Sequence, residues 1–322
     1  MTSEIAARAG EGITTSDTLA RHTAAWLWSF RESVHTRAAY RRDIEDFALW
    51  CAARDLDPTL ARRSDIDAYA ANLANLPNPR TGRPLAPASV ARRLAALSSW
   101  YGYLVDAEAV AHNPMLRVRR PRVDAQHTTT VGMTAAETIA VLRAASIDPV
   151  LGPVTASALA GFLVAIGARV SEVCAVDVTD LGHDSGHRTV RLRMKGGKTR
   201  TRAVPPDLAA KLEALCGDAT DGPLFRTADG ERIDRNIVAR FVRRAATAAG
   251  IAAADKITPH SFRHAWATLA REAGATLEER QYALGHADPR TTQRYDRARA
   301  SLDRDPSYLI AAAIAEDSGL LP

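Results

Sequence analysis

A mainly α-helical fold with one small β-sheet, divided between two domains, is what this sequence predicts, and three observations carry that reading. Apolar residues of the first half recur at helical spacing, a proline- and arginine-rich stretch interrupts the chain near its middle, and the strongest strand signal is a single basic hairpin in the second half. The length of 322 residues suits two domains of about 150 residues, each able to bury its own core.

Composition narrows the class further. Hydrophobic residues at 46% and charged residues at 25% are ordinary for a soluble globular protein. Cys51, Cys174 and Cys216 lie far apart, which excludes a disulfide scaffold and a CxxC metal site. The formal net charge of +5 and a pI near 9.3 tilt the partner toward an anion such as nucleic acid. The stretch from Pro149 to Ala168 carries no charge, but Gly152, Pro153, Thr155, Ser157 and Gly161 make it a buried core helix rather than a membrane span. Residues 1–16 contain Glu4 and Glu11 and no apolar run. They are expected to be a disordered tail, not a signal peptide, of a cytoplasmic protein without a membrane partner.

Taken in order, residues 18 to about 110 are expected to be all helical. Tyr40, Ile44 and Phe47 share one helical face. Ser64 before Asp65 is a candidate N-cap, and the turn-rich segment from Pro77 to Pro84 ends that helix. The next helix runs from about Ala88 to Val105, with Val90, Leu94, Leu97, Tyr101 and Leu104 on one side and Arg92 and Arg93 near the other. Residues 113–122 hold two prolines and four arginines without any period, and are read as a basic linker. The boundary is placed near residue 124. Thr134 and Glu137 then form a capping-box pattern that opens the second half.

The hairpin spans Thr189 to Met194, a Lys195-Gly196-Gly197-Lys198 turn, and Thr199 to Val204. Val190, Leu192 and Met194 alternate with Arg191 and Arg193, which places Lys195 on the basic side if the strand continues. Between Arg188 and Arg202 there are seven Lys or Arg and no acid, a density that points to a polyanion more than to a solvated edge strand. Gly197-Lys198-Thr199 is not a P-loop, because the earlier glycine that motif needs is Leu192. Thr258-Pro259 starts a helix whose first turn carries His260 and Arg263 on one face, a position that favours a phosphate. Gly285 suits a helix C-terminus, His286 a tight connection, and Asp288-Pro289 the start of a polar helix bearing Tyr295. Each of these residues alone reads as surface chemistry.

Together they occur in an order that resembles the tyrosine recombinases, the phage integrase family, and within it the two-domain Xer-like enzymes. The resemblance rests on Gly167-Ala-Arg169-Val-Ser-Glu172, the hairpin with Lys195, His260-Ser-Phe-Arg263-His264, Leu284-Gly-His286 and Tyr295, which follows His286 by nine residues. It implies a helical core-binding, SAM-like domain over 17–115, a linker over 116–130, and a mixed α+β catalytic domain over 131–322.

By the same resemblance, Tyr295 attacks a DNA phosphate to form a 3′-phosphotyrosine that a 5′-hydroxyl later reverses, with neither ATP nor metal nor other cofactor. Arg169 and Arg263 would clamp the non-bridging oxygens with forked donors that lysine does not reproduce. Lys195 would protonate the departing 5′ oxygen, with Lys198 its rival, because the interval from Arg169 includes a polar loop, Leu181 to His187, of the kind that varies in length. His260 would be the acid/base partner of the tyrosine, His286 a hydrogen-bond donor to the phosphate, and Glu172 a carboxylate supporting Arg169. Arg92, Arg93, Arg191, Arg193, Lys198, Arg200 and Arg202 are candidate DNA contacts. Ala168 and Phe262 replace the commoner leucines without loss of small or apolar character.

The implied partner is double-stranded DNA with an inverted-repeat core site, clamped in a C shape, with four protomers, or a related recombinase subunit, acting on two sites. The short N-terminal tail is expected to leave no room for an arm-site domain. Chromosome-dimer resolution, plasmid resolution and mobile-element integration all fit. A type IB topoisomerase that reseals its own strand and a non-catalytic DNA-binding protein of the same fold are the competing readings. Residues 308 to 315 form an apolar stretch too small to cover itself, expected to pack into a neighbouring protomer. Deleting residues from 306 onward should therefore abolish cooperative assembly on DNA, read by gel shift across a concentration series, while leaving the monomer folded.

Overall fold

The computed structural model describes residues 15–75, 77, 82–121, 131–194, 197–286 and 292. The chain divides into two compact units, Met1–Asp124 and Ala125–Pro322. The first is built from α1 (Thr15–Trp28), α2 (Val34–Ala52), α3 (Arg63–Asn75) and α4 (Pro87–Asp106). All five apolar residues expected on one side of α4 are buried, as are Ile44, Phe47 and Cys51 of α2. The core they form is aromatic: the ring of Phe47 lies 5.0 Å from Tyr69, 6.2 Å from Tyr101 and 6.4 Å from Trp100, the edge-to-face distances that aromatic pairs prefer. The indole N–H groups find partners at the edge of this core. Trp100 donates to Thr23 Oγ1 at 3.0 Å and Trp26 to Ser99 Oγ at 3.2 Å, so both bonds join α1 to α4.

One detail of this unit differs from expectation. Ser64 is not the cap of α3, which begins at Arg63; the cap-like bond is made by Asp65, whose carboxylate accepts the Arg62 N–H at 2.7 Å. A carboxylate in the first turn satisfies an otherwise orphaned donor and meets the positive end of the helix dipole. Arg92 and Arg93 do not stand free on α4. Arg92 forks onto the buried carboxylate of Asp43, and Arg93 meets Asp46 at 2.6 Å, so both tie α4 to α2.

The second unit comprises α5 (Ala135–Ala145), α6 (Pro153–Ile166), α7 (Val170–Cys174), β1 (Leu181–Asp184), β2 (His187–Arg193), β3 (Thr199–Ala203), α8 (Pro206–Cys216), α9 (Arg235–Ala248), α10 (Pro259–Glu272) and α11 (Leu277–Leu284). Thr134 and Glu137 close the capping box reciprocally at the start of α5. The uncharged stretch is α6, the central helix, whose Ala156, Leu159, Ala160, Phe162, Leu163 and Ile166 are wholly buried against α5, α8 and α10. Among the described residues no helix is long and apolar enough to cross a membrane.

The sheet is antiparallel in the order β1-β2-β3. β1 occupies the first half of what the sequence suggests is a polar loop. Ser185 at φ 48° and Gly186 at φ 81° supply the two left-handed residues of a tight hairpin turn, and Leu181 pairs with Val190. The polar composition of Leu181–Asp184 hides this strand from a search for β-branched runs. In the β2-β3 hairpin, Met194 N–H donates to the Lys198 carbonyl at 2.7 Å. Lys195 and Gly196 lie outside the described residues, as do the apolar stretch at 308 to 315 and, apart from Thr292, the helix expected from Asp288 onward.

Truncating the ring at the centre of the first core should be costly. Phe47→Ala is expected to destabilise the protein by about 3–5 kcal/mol, the cost of a fully buried phenyl, measured as a shift of the denaturant midpoint of the full chain.

Candidate active site

The site is assembled where two helices end. α6 terminates at Gly167 (φ +62°) and α11 at Gly285 (φ +61°), both in the left-handed conformation that favours glycine. Neither position has room for a side chain: a Cβ at residue 167 would lie 2.8 Å from the Trp266 ring, and one at 285 would lie 2.6 Å from Met194 Cε. The last carbonyls of both helices are thereby aimed at one guanidinium. Arg263, from the second turn of α10 and 2% exposed, donates through Nη1 to the Gly167 carbonyl at 2.7 Å and through Nη2 to the Leu284 carbonyl at 2.6 Å. A cation at two helix C-termini is favoured by both dipoles. Phe262 beside it is fully buried and anchors the turn.

Arg169 follows Gly167 in extended conformation and caps α7. Its backbone N–H donates to Glu172 Oε2 at 2.9 Å and its Nη1 to Oε1 at 2.8 Å, so one buried carboxylate fixes both the main chain and the side chain of the same residue. Nη2 reaches the Gly285 carbonyl at 3.4 Å, while the side chain stays 40% exposed and open to an anion. Glu172 also receives Arg200 Nη2 at 3.4 Å from β3.

Arg263 also bonds from Nη2 to His286 Nε2 at 2.8 Å. A guanidinium can only donate, so Nε2 is the acceptor and the neutral ring carries its proton on Nδ1. Nδ1 then donates to Thr292 Oγ1 at 2.8 Å. Burial, followed by Arg263, Arg169 and Arg200, pushes this imidazole down to about 3. His260, in the first turn of α10, keeps an exposed ring, and desolvation, then Arg263 and Arg169, lowers it from its ordinary value as well. The four groups therefore sense one another electrostatically. The cluster is a concentrated positive site with two neutral imidazoles, fit for an anion that needs both clamping and proton transfer. Lys195 and Tyr295 lie outside the described residues.

The candidate DNA contacts of the hairpin separate into two faces. Arg191 and Arg193 lie on the face opposite to Val190 and Leu192, half-exposed, but are held by the buried Asp180 and by Asp177 at 2.9 to 3.1 Å. Arg200 pairs with Leu192 and Arg202 with Val190, which places both on the apolar face. Arg200 is buried against Glu172, a correction to its reading as a surface phosphate contact. Arg202 lies 5.2 Å from the centre of the Trp266 ring, and burial, then Arg200, lowers it to about 10. Lys198 is exposed. Equal parity of residue numbers across the hairpin was the available signal for this division. For Thr292, a buried residue that sequence reasoning passes over, a lone threonine in a polar segment offers none.

Comparison with known proteins places the chain in a family. Residues 133–301 match the family model described as the phage integrase family, and residues 7–108 match that of the phage integrase N-terminal SAM-like domain. Tyrosine recombinase XerC of Pelobacter propionicus is 34% identical over 277 residues, covering 84% of this chain and 87% of the relative; that of Roseiflexus sp. is 30% identical, covering 82% and 83%. In fold, the chain is similar to XerH site-specific recombinase bound to palindromic difH substrate (TM-score 0.68, 18% identity, 86% and 79% covered). It is likewise similar to a lambda integrase dimer bound to a COC′ core site (TM-score 0.61, 17% identity, 83% and 95% covered).

The lowered His286 makes acidification destabilising. The ring is neutral when folded and titrates near 6.5 when unfolded, so the stability it contributes is complete above about pH 6.5 and is lost progressively as pH falls toward 3. Thermal unfolding of wild type and His286→Gln between about pH 7 and pH 4 should show the wild type losing melting temperature faster on acidification. A gap between the two that stays constant with pH would show that the ring titrates normally.

Proposed function

Because the chain belongs to the phage integrase family and is a tyrosine recombinase, a DNA strand-transferring enzyme, we propose that it cuts and rejoins its DNA at the cluster just described, with Tyr295 as nucleophile. The Tyr295 oxygen attacks the scissile phosphorus, the bond to the 5′ oxygen breaks, and the phosphate is carried as a 3′-phosphotyrosine. A 5′-hydroxyl of the exchanging strand then attacks the same phosphorus and releases the tyrosine. Energy of the phosphodiester is conserved throughout.

The observation that carries this reading is the convergence of Arg169, His260, Arg263 and His286. They come from three segments of the chain, His260 and Arg263 sharing α10, and are connected through hydrogen bonds or shared electrostatics. Arg169 offers an exposed fork, and Arg263 a guanidinium already oriented by two helix ends, so little reorganisation is needed when charge develops on the phosphate. His260, neutral and exposed, can accept the tyrosine proton and return it. Lys195 supplies the proton to the departing 5′ oxygen, and Glu172 holds Arg169 in place. The substrate is duplex DNA with an inverted-repeat core site, acted on in the cytoplasm by a tetramer of this chain or by a mixed assembly with a related subunit.

Covalent capture tests this. The protein is mixed with a random duplex library carrying nicks, washed under denaturing conditions, and the DNA that stays attached is sequenced, with Tyr295→Phe as the control. Tyrosine-dependent recovery of an inverted repeat is expected, with the Phe variant losing attachment while keeping DNA affinity. Attachment without sequence preference would instead indicate topoisomerase-like relaxation, and none at all, in a folded protein that binds DNA, a non-catalytic binder.

A further inference from the structure

We propose that Thr292 is a positioning residue for strand transfer, its hydroxyl accepting the Nδ1 proton of the His286 tautomer that Arg263 requires and so holding the ring and Arg263 in place; the inference rests on the recombinase reading above. The argument begins with donors and acceptors. Arg263 Nη2 is 2.8 Å from His286 Nε2 and can only donate, so Nε2 must present a lone pair. That tautomer leaves a proton on Nδ1, inside the protein, where His286 is 9% exposed. Thr292 Oγ1, 2.8 Å away on a residue with no exposed surface, receives it.

Without that acceptor, two arrangements remain. Either the Nδ1 proton is left buried without its partner, or the proton moves to Nε2 and confronts the N–H of Arg263. Both are unfavourable by the scale of one buried hydrogen bond, and the second displaces the guanidinium that is to grip the phosphate. The bond has a further consequence for order within the site. Thr292 is separated from Tyr295 by only two residues, so the chain Arg263–His286–Thr292 runs from the phosphate clamp to the segment that carries the nucleophile. The hydroxyl, and not the bulk of the residue, is the part that matters.

The test compares the full-length wild type with Thr292→Ser, which keeps the hydroxyl, and Thr292→Val, which keeps the shape. Initial rates of tyrosine-linked DNA formation are measured on the nicked random duplex library, alongside DNA affinity and thermal unfolding. In parallel, long-range proton–nitrogen spectra of histidine-labelled protein report which ring nitrogen of His286 is protonated, that signal being identified by its loss in His286→Gln. The proposal expects Nδ1–H in the wild type and in the serine variant, with near wild-type adduct formation for serine. For valine it expects a rate lower by about tenfold or more, with unchanged DNA affinity and an Nδ1–H signal that is shifted or lost. It is overturned if the wild-type ring carries its proton on Nε2, if valine forms adducts at the wild-type rate, or if serine and valine fail equally. Should the valine variant not fold, the wild-type spectrum and the serine rate still decide. If the wild type forms no tyrosine-dependent adduct, the recombinase reading falls and the catalytic role of Thr292 with it, whereas a ring protonated on Nδ1 would keep the hydrogen bond itself.

Discussion

One buried guanidinium organises the catalytic unit. Arg263 joins the carbonyl ends of α6 and α11, and each of those helices must stop in the left-handed conformation for its carbonyl to reach. A charge this deeply placed is tolerated only when its donors are met, and here helix ends supply acceptors whose dipoles favour a cation. The same constraint locates everything near it. Gly167 leads through Ala168 into Arg169, Gly285 directly into His286, and α10 carries His260 one turn before Arg263. The arrangement of these residues is a by-product of how three helix termini are satisfied, which holds it without any ligand.

Around that centre the carboxylates act as fixtures for the arginines. Glu172 holds the backbone and side chain of Arg169 together and meets Arg200 from the sheet; Asp180 and Asp177 do the same for Arg191 and Arg193. Long side chains lose rotamer freedom when they bind a ligand, and an arginine already held by a carboxylate has lost it on folding. Arg169 combines both conditions, being anchored at one edge and exposed at the other.

Much of this was legible in the sequence wherever a strict period or a short-range motif governs. The face of α4 from Val90 to Leu104, the Thr134 capping box, the uncharged α6 and the glycine that ends α11 all follow from local rules. Features that depend on who lies opposite were not legible. β1 exists because β2 pairs with it, and its own residues carry no strand signature. Ser64 lost the capping role to Asp65, a neighbour one residue away. Arg200 and Arg202 looked like part of one basic patch until register placed them beside Leu192 and Val190 on the apolar face. Within the site, the resemblance to the tyrosine recombinases marked Arg169, His260, Arg263 and His286 as candidates, but the tautomer of His286 and the part of Thr292 exist only in three dimensions.

The engagement of the hairpin arginines also bears on how binding would respond to salt. Affinity for a polyanion falls with ionic strength in proportion to the phosphates newly neutralised, roughly 0.9 of a logarithmic unit per contact for duplex DNA. Seven cations between residues 188 and 202 suggest a steep dependence. Yet Arg188 is paired with Glu213, Arg191 with Asp180, Arg193 with Asp177, and Arg200 with Glu172. An arginine already paired with a carboxylate of its own protein neutralises a phosphate less completely, so these four release fewer of the counterions condensed on DNA than their number suggests. The salt dependence of binding is therefore shallower than seven cations imply, with exposed Lys198 outside the four pairs.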